Sequence, residues 1–267
     1  MSLLAPLNPR IDTWAGRRVW VVGASSGIGA ELARALHRRG ARVAVSARRR
    51  EALQALFESA PDGQPSAALQ VLPLDVNDSA AVSAAAATLQ ASWGGIDLVL
   101  WVAGIYQPMR AQNFELDRAR AMLQTNLVAV YSALDAVLPM LLTQGRGAIA
   151  LVSSVAGYSG LPQSLAYGPT KAALINLAET LYLDLHPLGI GVHLINPGFV
   201  DTPATAGNTF PMPALITAQD AAEATLAGLE AGRFEIHFPA RFTLWLKFAR
   251  ILPYRLYFGL IRRITGG

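Results

Sequence analysis

Short runs of apolar, often β-branched residues alternate along this chain with longer segments whose apolar positions recur at helical spacing. RRVWVVG (17–23), RVAVSA (42–47), LQVLPLDV (69–76), IDLVLWVAG (96–104), GAIALVSS (147–154), GIGVHLINPG (189–198) and FEIHF (234–238) predict strands. Between them, residues 27–40, 49–60, 79–93, 115–143, 165–186 and 218–231 predict helices, the second stopped by Pro61-Asp62-Gly63. Strands without a polar face need cover on both sides, and helices between successive strands supply it. The pattern predicts an α/β, doubly wound, mainly parallel seven-stranded sheet with helices on both faces. It occupies residues 1–239, with 240–267 as a basic, apolar helical extension of the same domain.

Composition narrows the chemistry. The 267 residues are 52% hydrophobic and 15% charged, enough for one large core. No run of about 18 uncharged apolar residues occurs, so a spanning helix is not expected. MSLLAPLNPRIDTW lacks a basic start and is broken by Pro6 and Pro9, unlike a signal peptide. The absence of cysteine excludes disulfides and thiolate chemistry. His37, His186, His193 and His237 are scattered, which argues for structural roles and no metal site. Net charge is +4, but from Arg233 onward seven cations face one acid, so the remainder carries −2. Basicity confined to the tail argues against nucleic acid as a partner.

Two stretches carry the candidate chemistry. After the first strand, VVGASSGIGAELARAL sets Gly23, Gly27 and Gly29 on a strand-to-helix turn. Small residues there let backbone N–H groups approach a pyrophosphate at a helix N-terminus. In SLAYGPTKAALINL, Tyr167 and Lys171 stand four apart where a helix begins. That spacing alone makes any two helical residues neighbours.

Together, GASSGIG, Tyr167-x-x-x-Lys171, Ser154 thirteen residues before the tyrosine, Asn126 in QTNLVAV and Pro197-Gly198 leading to Thr202 resemble the short-chain dehydrogenase/reductase family, in its order and spacing over residues 17–202. The resemblance implies a Rossmann-type fold and an NAD(P)-dependent oxidoreductase. It implies that Tyr167 is the general acid–base, that Lys171 bonds the nicotinamide ribose and favours the phenolate, that Ser154 holds the substrate oxygen and that Asn126 orders a water. The cation and the cofactor's charge would lower the phenol by about 3 units, a differential interaction of roughly 4 kcal/mol. Gly23, Ser25, Ser26, Gly27, Ile28 and Gly29 would cradle the nucleotide, Asp75-Val76 the adenine and Ala103-Gly104 the ribose. Pro197, Gly198, Val200 and Thr202 would hold the carboxamide. Two departures stand out. Trp101-Val102-Ala103-Gly104 replaces the family's Asn-Asn-Ala-Gly, which removes two side chains that support the sheet. Pro169 lies inside the Tyr–Lys motif, which places the helix start close to Tyr167.

Where an acid at the end of strand two would select NAD, this chain has Ala47 followed by Arg48, Arg49 and Arg50. Arg48 fits a 2′-phosphate, so NADP(H) is favoured over NAD(H). Phe210, Met212, Leu215 and Ile216, with Ile105, Tyr106, Met109, Tyr158 and Leu161, suggest a lipophilic carbonyl or secondary alcohol, although they could also pack on one another. A non-catalytic nucleotide-binding or membrane-associated scaffold of the same fold is the alternative. The resemblance implies a homodimer through the paired long helices (about 115–143 and 165–186), and the chain is expected in the cytoplasm, with a peripheral membrane contact as the variant. The tail, split by Pro253 into two short helices, could be a lid, an oligomer contact or a peripheral membrane contact. Projected at about 100° per residue, its cations do not collect on one helical face.

Overall fold

The computed structural model describes residues 5–57, 68–208 and 210–265. Its strands are β1 (Arg18–Val22), β2 (Arg42–Ser46), β3 (Leu69–Val71), β4 (Leu98–Trp101), β5 (Gly147–Val152), β6 (Ile190–Pro197), the two-residue pair β7 (Val200–Asp201) and β8 (Ile216–Thr217), and β9 (Glu235–Phe238). Its helices are α1 (Gly27–Arg38), α2 (Arg50–Gln54), α3 (Ser79–Trp93), α4 (Leu116–Leu123), α5 (Ala129–Gln144), α6 (Tyr167–Leu185), α7 (Ala218–Glu230), α8 (Ala240–Arg250) and α9 (Tyr254–Thr265).

Seven strands form one sheet in the order β3-β2-β1-β4-β5-β6-β9, with every pairing parallel. The two-residue side-chain period of a strand divides the core. Trp20, Val22, Val99, Trp101, Ile149 and Leu151 face the layer of α3, α5 and α6. Val19, Val21, Val43, Val45, Leu98 and Leu100 face α1 and α7. Each large side chain buried this way contributes about 1.5–3 kcal/mol, which is why the strands read as continuous apolar runs. The winding reverses between β1 and β4, and such a switch point opens a crevice at the carboxyl ends of the strands.

Three elements differ from the sequence pattern. The predicted third strand is regular only over Leu69–Val71, and Pro73 beyond it lies on the outer edge of the sheet, where a missing N–H is tolerated. Bonds from Leu72 N to Val45 O at 2.9 Å and from Leu74 N to Ala47 O at 3.1 Å carry the chain on along β2. The predicted helix over 49–60 is regular only through Gln54, and its continuation with the Pro61-Asp62-Gly63 stop lies outside the described residues. The helix expected over 115–143 is interrupted at Gln124–Val128 by a π-turn that carries Asn126. The 29-residue stretch Leu116–Gln144 reaches the length and mean hydropathy of a membrane span, although Asp135 interrupts its uncharged run. Its inward residues Ala129, Val130, Ala133, Val137 and Leu141 are buried, as in a core helix.

The tail packs against the body. Leu246 joins the main core, while Ala249, Tyr257 and Ile261 form a small cluster of their own. Glu235 on β9 is the tie. Its carboxylate accepts from Tyr158 Oη at 2.7 Å, from Asn196 Nδ2 at 2.8 Å and from Lys247 Nζ on α8. Burial pushes this carboxyl up, but those three donors together hold it below its ordinary range.

Candidate active site

The glycine turn is shaped by steric need. Gly23 (φ +93°) and Gly27 (φ +57°) lie in the left-handed region that side chains disfavour. A Cβ on Gly23 would sit 2.5 Å from Ala103 N, and one on Gly29 would sit 2.2 Å from Gly23 O. Backbone from β1, β4 and α1 therefore meets at one point. Ser26, at the start of α1, makes no side-chain cap, and no acid occupies the first turn. The helix offers free N–H groups and its positive end to an anionic ligand.

At the end of β2, Ala47, Arg48 and Arg49 line the same cleft. Arg49 Nη2 reaches Ser25 Oγ at 3.5 Å, joining the arginine run to the glycine turn. Sequence reasoning selected Arg48 and passed over Arg49. Asp75 accepts from Asn77 N at 3.0 Å, and Asn77 Nδ2 reaches Thr125 Oγ1 at 3.2 Å on the π-turn.

Helix α6 begins at Tyr167, which places Pro169 in the first turn where its missing N–H costs nothing. Ser153 fastens this start to β5, donating to Lys171 O at 2.7 Å. Lys171 is buried, and its Nζ donates to Val152 O at 2.9 Å and lies 5.6 Å from the centre of the Tyr167 ring. Tyr106 packs edge-on against the same ring at 4.8 Å. Burial raises the Tyr167 phenol to about 12, opposed by hydrogen bonding with Ser154. Burial also lowers Lys171 to about 8. The lowered phenol implied by the resemblance draws on the cofactor's charge as well as on the cation, and the protein groups alone leave the phenol raised. Desolvation is the dominant cause at Tyr167, and the Lys171 amine is engaged by the Val152 carbonyl.

Asn126 stands behind the cleft, fully buried and outside its lining. Its Oδ1 accepts from Ile105 N at 2.7 Å, and its Nδ2 donates to Ile105 O at 2.9 Å and toward Thr170 Oγ1 at 3.3 Å. The amide thereby fastens the segment after β4 to the π-turn and to the first turn of α6.

Every other residue expected at the site lines one cleft of about 1070 Å³. At its far end Gly198 N donates to Phe238 O at 2.7 Å, and a Cβ on Gly198 would meet Phe242 of α8 at 3.0 Å. Thr205, not singled out by its sequence, holds the Thr202 turn. Its hydroxyl donates to Val200 O at 2.6 Å and accepts from Thr202 N at 3.1 Å. Of the expected substrate residues, Ile105, Tyr106, Leu161, Phe210 and Met212 line the cleft. Four do not. Met109 is buried against Ala119, Met122 and Ala166, Tyr158 is committed to Glu235, Ile216 packs toward α7, and Leu215 points to solvent. The tail replaces them with Phe242, Trp245, Leu246, Ile261 and Ile264.

This arrangement can hold a dinucleotide against a phenol, a hydroxyl and a buried amine. The sequence profile of short chain dehydrogenases matches residues 17–210. The chain belongs to the short-chain dehydrogenase family. Among its family relatives, an uncharacterized oxidoreductase of Myxococcus xanthus is 38% identical over 248 residues, covering 93% of this chain and 97% of that one. An uncharacterized oxidoreductase of Mycobacterium tuberculosis is 35% identical over 191 residues, 71% of this chain and 76% of its own. Among solved structures, a short chain dehydrogenase from Burkholderia cenocepacia in complex with NADP superposes with a TM-score of 0.80 at 26% identity, covering 93% of this chain and 98% of that one. As a short-chain dehydrogenase, this protein is an NAD(P)-dependent oxidoreductase. Its departure from the family at Trp101 is absorbed by the core, where the side chain is buried with its indole N–H unpartnered among the described residues. The bonds there come from backbone, with Val102 N and Ala103 N both donating to Val22 O at 2.8 and 3.0 Å.

Proposed function

We propose that this short-chain dehydrogenase is an NADP(H)-dependent enzyme interconverting a carbonyl and a secondary alcohol on a lipophilic small molecule, acting as a cytoplasmic homodimer. The observation that carries the reading is the continuity of one cleft from the glycine turn and Arg48–Arg49, past Lys171 and Tyr167, to an apolar wall. Gly23, Ser25, Ser26, Gly27, Ile28 and Gly29 would hold the pyrophosphate end of the nucleotide, with Asp75 and Val76 at the adenine. Ala103, Gly104 and Lys171 would meet the ribose, and Pro197, Gly198, Val200 and Thr202 the carboxamide. The nicotinamide, when bound, supplies or accepts the hydride.

The residues of the chain handle the proton. With its phenol near 12, Tyr167 is protonated at neutral pH, the state needed to donate to the oxygen of a carbonyl being reduced. In the reverse direction its phenolate takes the proton of the alcohol. Ser154 Oγ hydrogen-bonds the same substrate oxygen. Lys171 is cationic below about pH 8, and its charge beside the ring stabilises the phenolate left when the proton departs. Asn126 acts by positioning, since its amide fixes Ile105 and the Thr170 hydroxyl.

Three observations support the finer points. Ala47 places no carboxylate against a 2′-phosphate, and two exposed arginines share that rim. The substrate end is walled by Leu161, Phe210, Met212, Trp245 and Ile261. Exposed apolar residues on α5 (Tyr131, Leu142) and α6 (Leu183) offer a dimer face, and Leu183→Glu with Tyr131→Glu should yield monomers in light scattering. The deciding experiment follows oxidation of NADPH and NADH against aliphatic and aromatic carbonyls of increasing size. Turnover with NADPH that improves with apolar size is expected. Equal use of NADH overturns the cofactor preference, and no turnover with either overturns the reaction.

A further inference from the structure

The tail has two apolar faces, and only one is covered. On α8, Thr243, Leu246 and Ala249 point inward and are buried. Leu244, Phe248 and Ile251, spaced i, i+4 and i+7, form one stripe on the other side and are exposed, Ile251 at 75%. On α9, Tyr257 and Ile261 are buried. Tyr254 (78% exposed) and Phe258 stack outward with ring centres 5.6 Å apart, and Arg262 continues the same i+4 ladder. The two stripes meet at the turn between Ile251 and Tyr254.

The charges follow that division. Treated as one helix, the tail scatters its cations, which was the expectation from its sequence. Broken at Pro253, it gathers Arg255, Arg262 and Arg263 of α9 within an arc of about 100°, with Arg262 and Arg255 next to Phe258. Arg241, Arg250, Arg255, Arg262 and Arg263 are all exposed, and none forms an ion pair among the described residues. The nearest acid in sequence, Glu235, is already taken by Lys247.

From this surface we infer that the outer face of α8 and α9 docks on an anionic lipid bilayer. Aromatic and aliphatic side chains enter the boundary between headgroups and acyl chains, and arginines beside them meet the lipid phosphates. Charge decides against a second copy as the occupant, because pairing this face with itself would bring two sets of the unpaired Arg241, Arg255, Arg262 and Arg263 together. Docking would orient the whole domain, since Lys247 with Glu235, Thr243 with His237 (2.7 Å) and Tyr257 with Gly160 (2.7 Å) tie the two helices to the body. The inner sides of the same helices line the cleft through Trp245, Ile261 and Ile264. A bilayer-dissolved substrate, if the proposed function holds, would be taken up at that edge. The docking itself does not depend on the reaction.

The test is co-sedimentation of the full chain, loaded with NADPH, with vesicles of phosphatidylglycerol in phosphatidylcholine and of phosphatidylcholine alone. Binding to the anionic vesicles that is released by high salt is expected. Phe248→Glu with Ile251→Glu should abolish it, and Arg255→Ala with Arg262→Ala should weaken it by about fivefold per arginine. Both variants should still bind NADPH, which shows that they fold. No binding to anionic vesicles at low salt, or binding unchanged in both variants, overturns the inference. So does concentration-dependent self-association that the same substitutions remove.

Discussion

The two ends of the cleft are built from different materials. At the nucleotide end, backbone meets backbone, and Gly23 and Gly29 leave no room for a Cβ between β1, α1 and Ala103. At the substrate end, the wall consists of side chains from segments far apart in sequence. Phe210 and Met212 follow the Pro197-Gly198 turn, and Trp245, Ile261 and Ile264 come from the tail. A site made of backbone can accept one ligand shape and changes little. A site made of side chains on peripheral helices can change its ligand without disturbing the sheet. Cofactor and substrate should therefore be separable by substitution, with Tyr167 and Lys171 at the junction.

The largest effect is expected at that junction. Tyr167→Phe removes the proton donor and little volume, so kcat should fall about 10²–10⁴-fold. NADPH affinity measured by fluorescence should stay near that of the parent. A variant that keeps its rate would place the proton transfer elsewhere and dissolve the comparison.

Next in size is the cofactor exchange. Ala47→Asp with Arg48→Ala and Arg49→Ala introduces a repulsive carboxylate and removes two charged donors, each about 1.5–3 kcal/mol where it bonds phosphate. The ratio of kcat/KM for NADPH over NADH should drop by at least about tenfold, with the KM of the carbonyl unchanged. A shift in carbonyl KM of the same size would show that the ends are coupled.

Trp245→Ala tests the other end. Loss of buried aromatic surface worth about 1.5–3 kcal/mol should raise KM for a large apolar carbonyl roughly tenfold or more. NADPH binding should be preserved, with thermal unfolding recorded to confirm that α8 stays attached. An equal loss of NADPH affinity would mean that Phe242, which packs on Gly198 from the same helix, transmits the change.

The smallest effect concerns pH. Burial lowers Lys171 from 10.5 to about 8, so its charge is present below that pH and lost above it. NADPH binding by the free enzyme should weaken a few-fold between pH 7 and 9. Lys171→Arg keeps its charge over this range, so its affinity, though lower, should be flat. Parallel pH curves for the two proteins would assign the titration to another group.

Much of this was legible along the chain because it is local. Strand periodicity, the glycine turn, the start of α6 at Tyr167 and the break at Pro253 depend on neighbours within a few residues. Such preferences act before any tertiary contact forms. The π-turn at Asn126 was not legible, because the pair of bonds its side chain makes runs to Ile105, twenty-one residues away. Thr205 and Ser153 escaped notice because a hydroxyl gains its role only from the carbonyl it finds.

The order of strands and helices, the nucleotide turn and the Tyr167–Lys171 pair follow from the chain read along its length. Hydrophobic period and the steric demands of glycine and proline are written residue by residue. Which apolar residues wall the cleft is settled by packing between distant segments. Met109, Tyr158 and Ile216 are as apolar or aromatic as Phe210, Met212 and Trp245, and long-range packing alone assigned the first three to the core. It also decided the protonation of the site, because desolvation depends on everything folded around Tyr167 and Lys171.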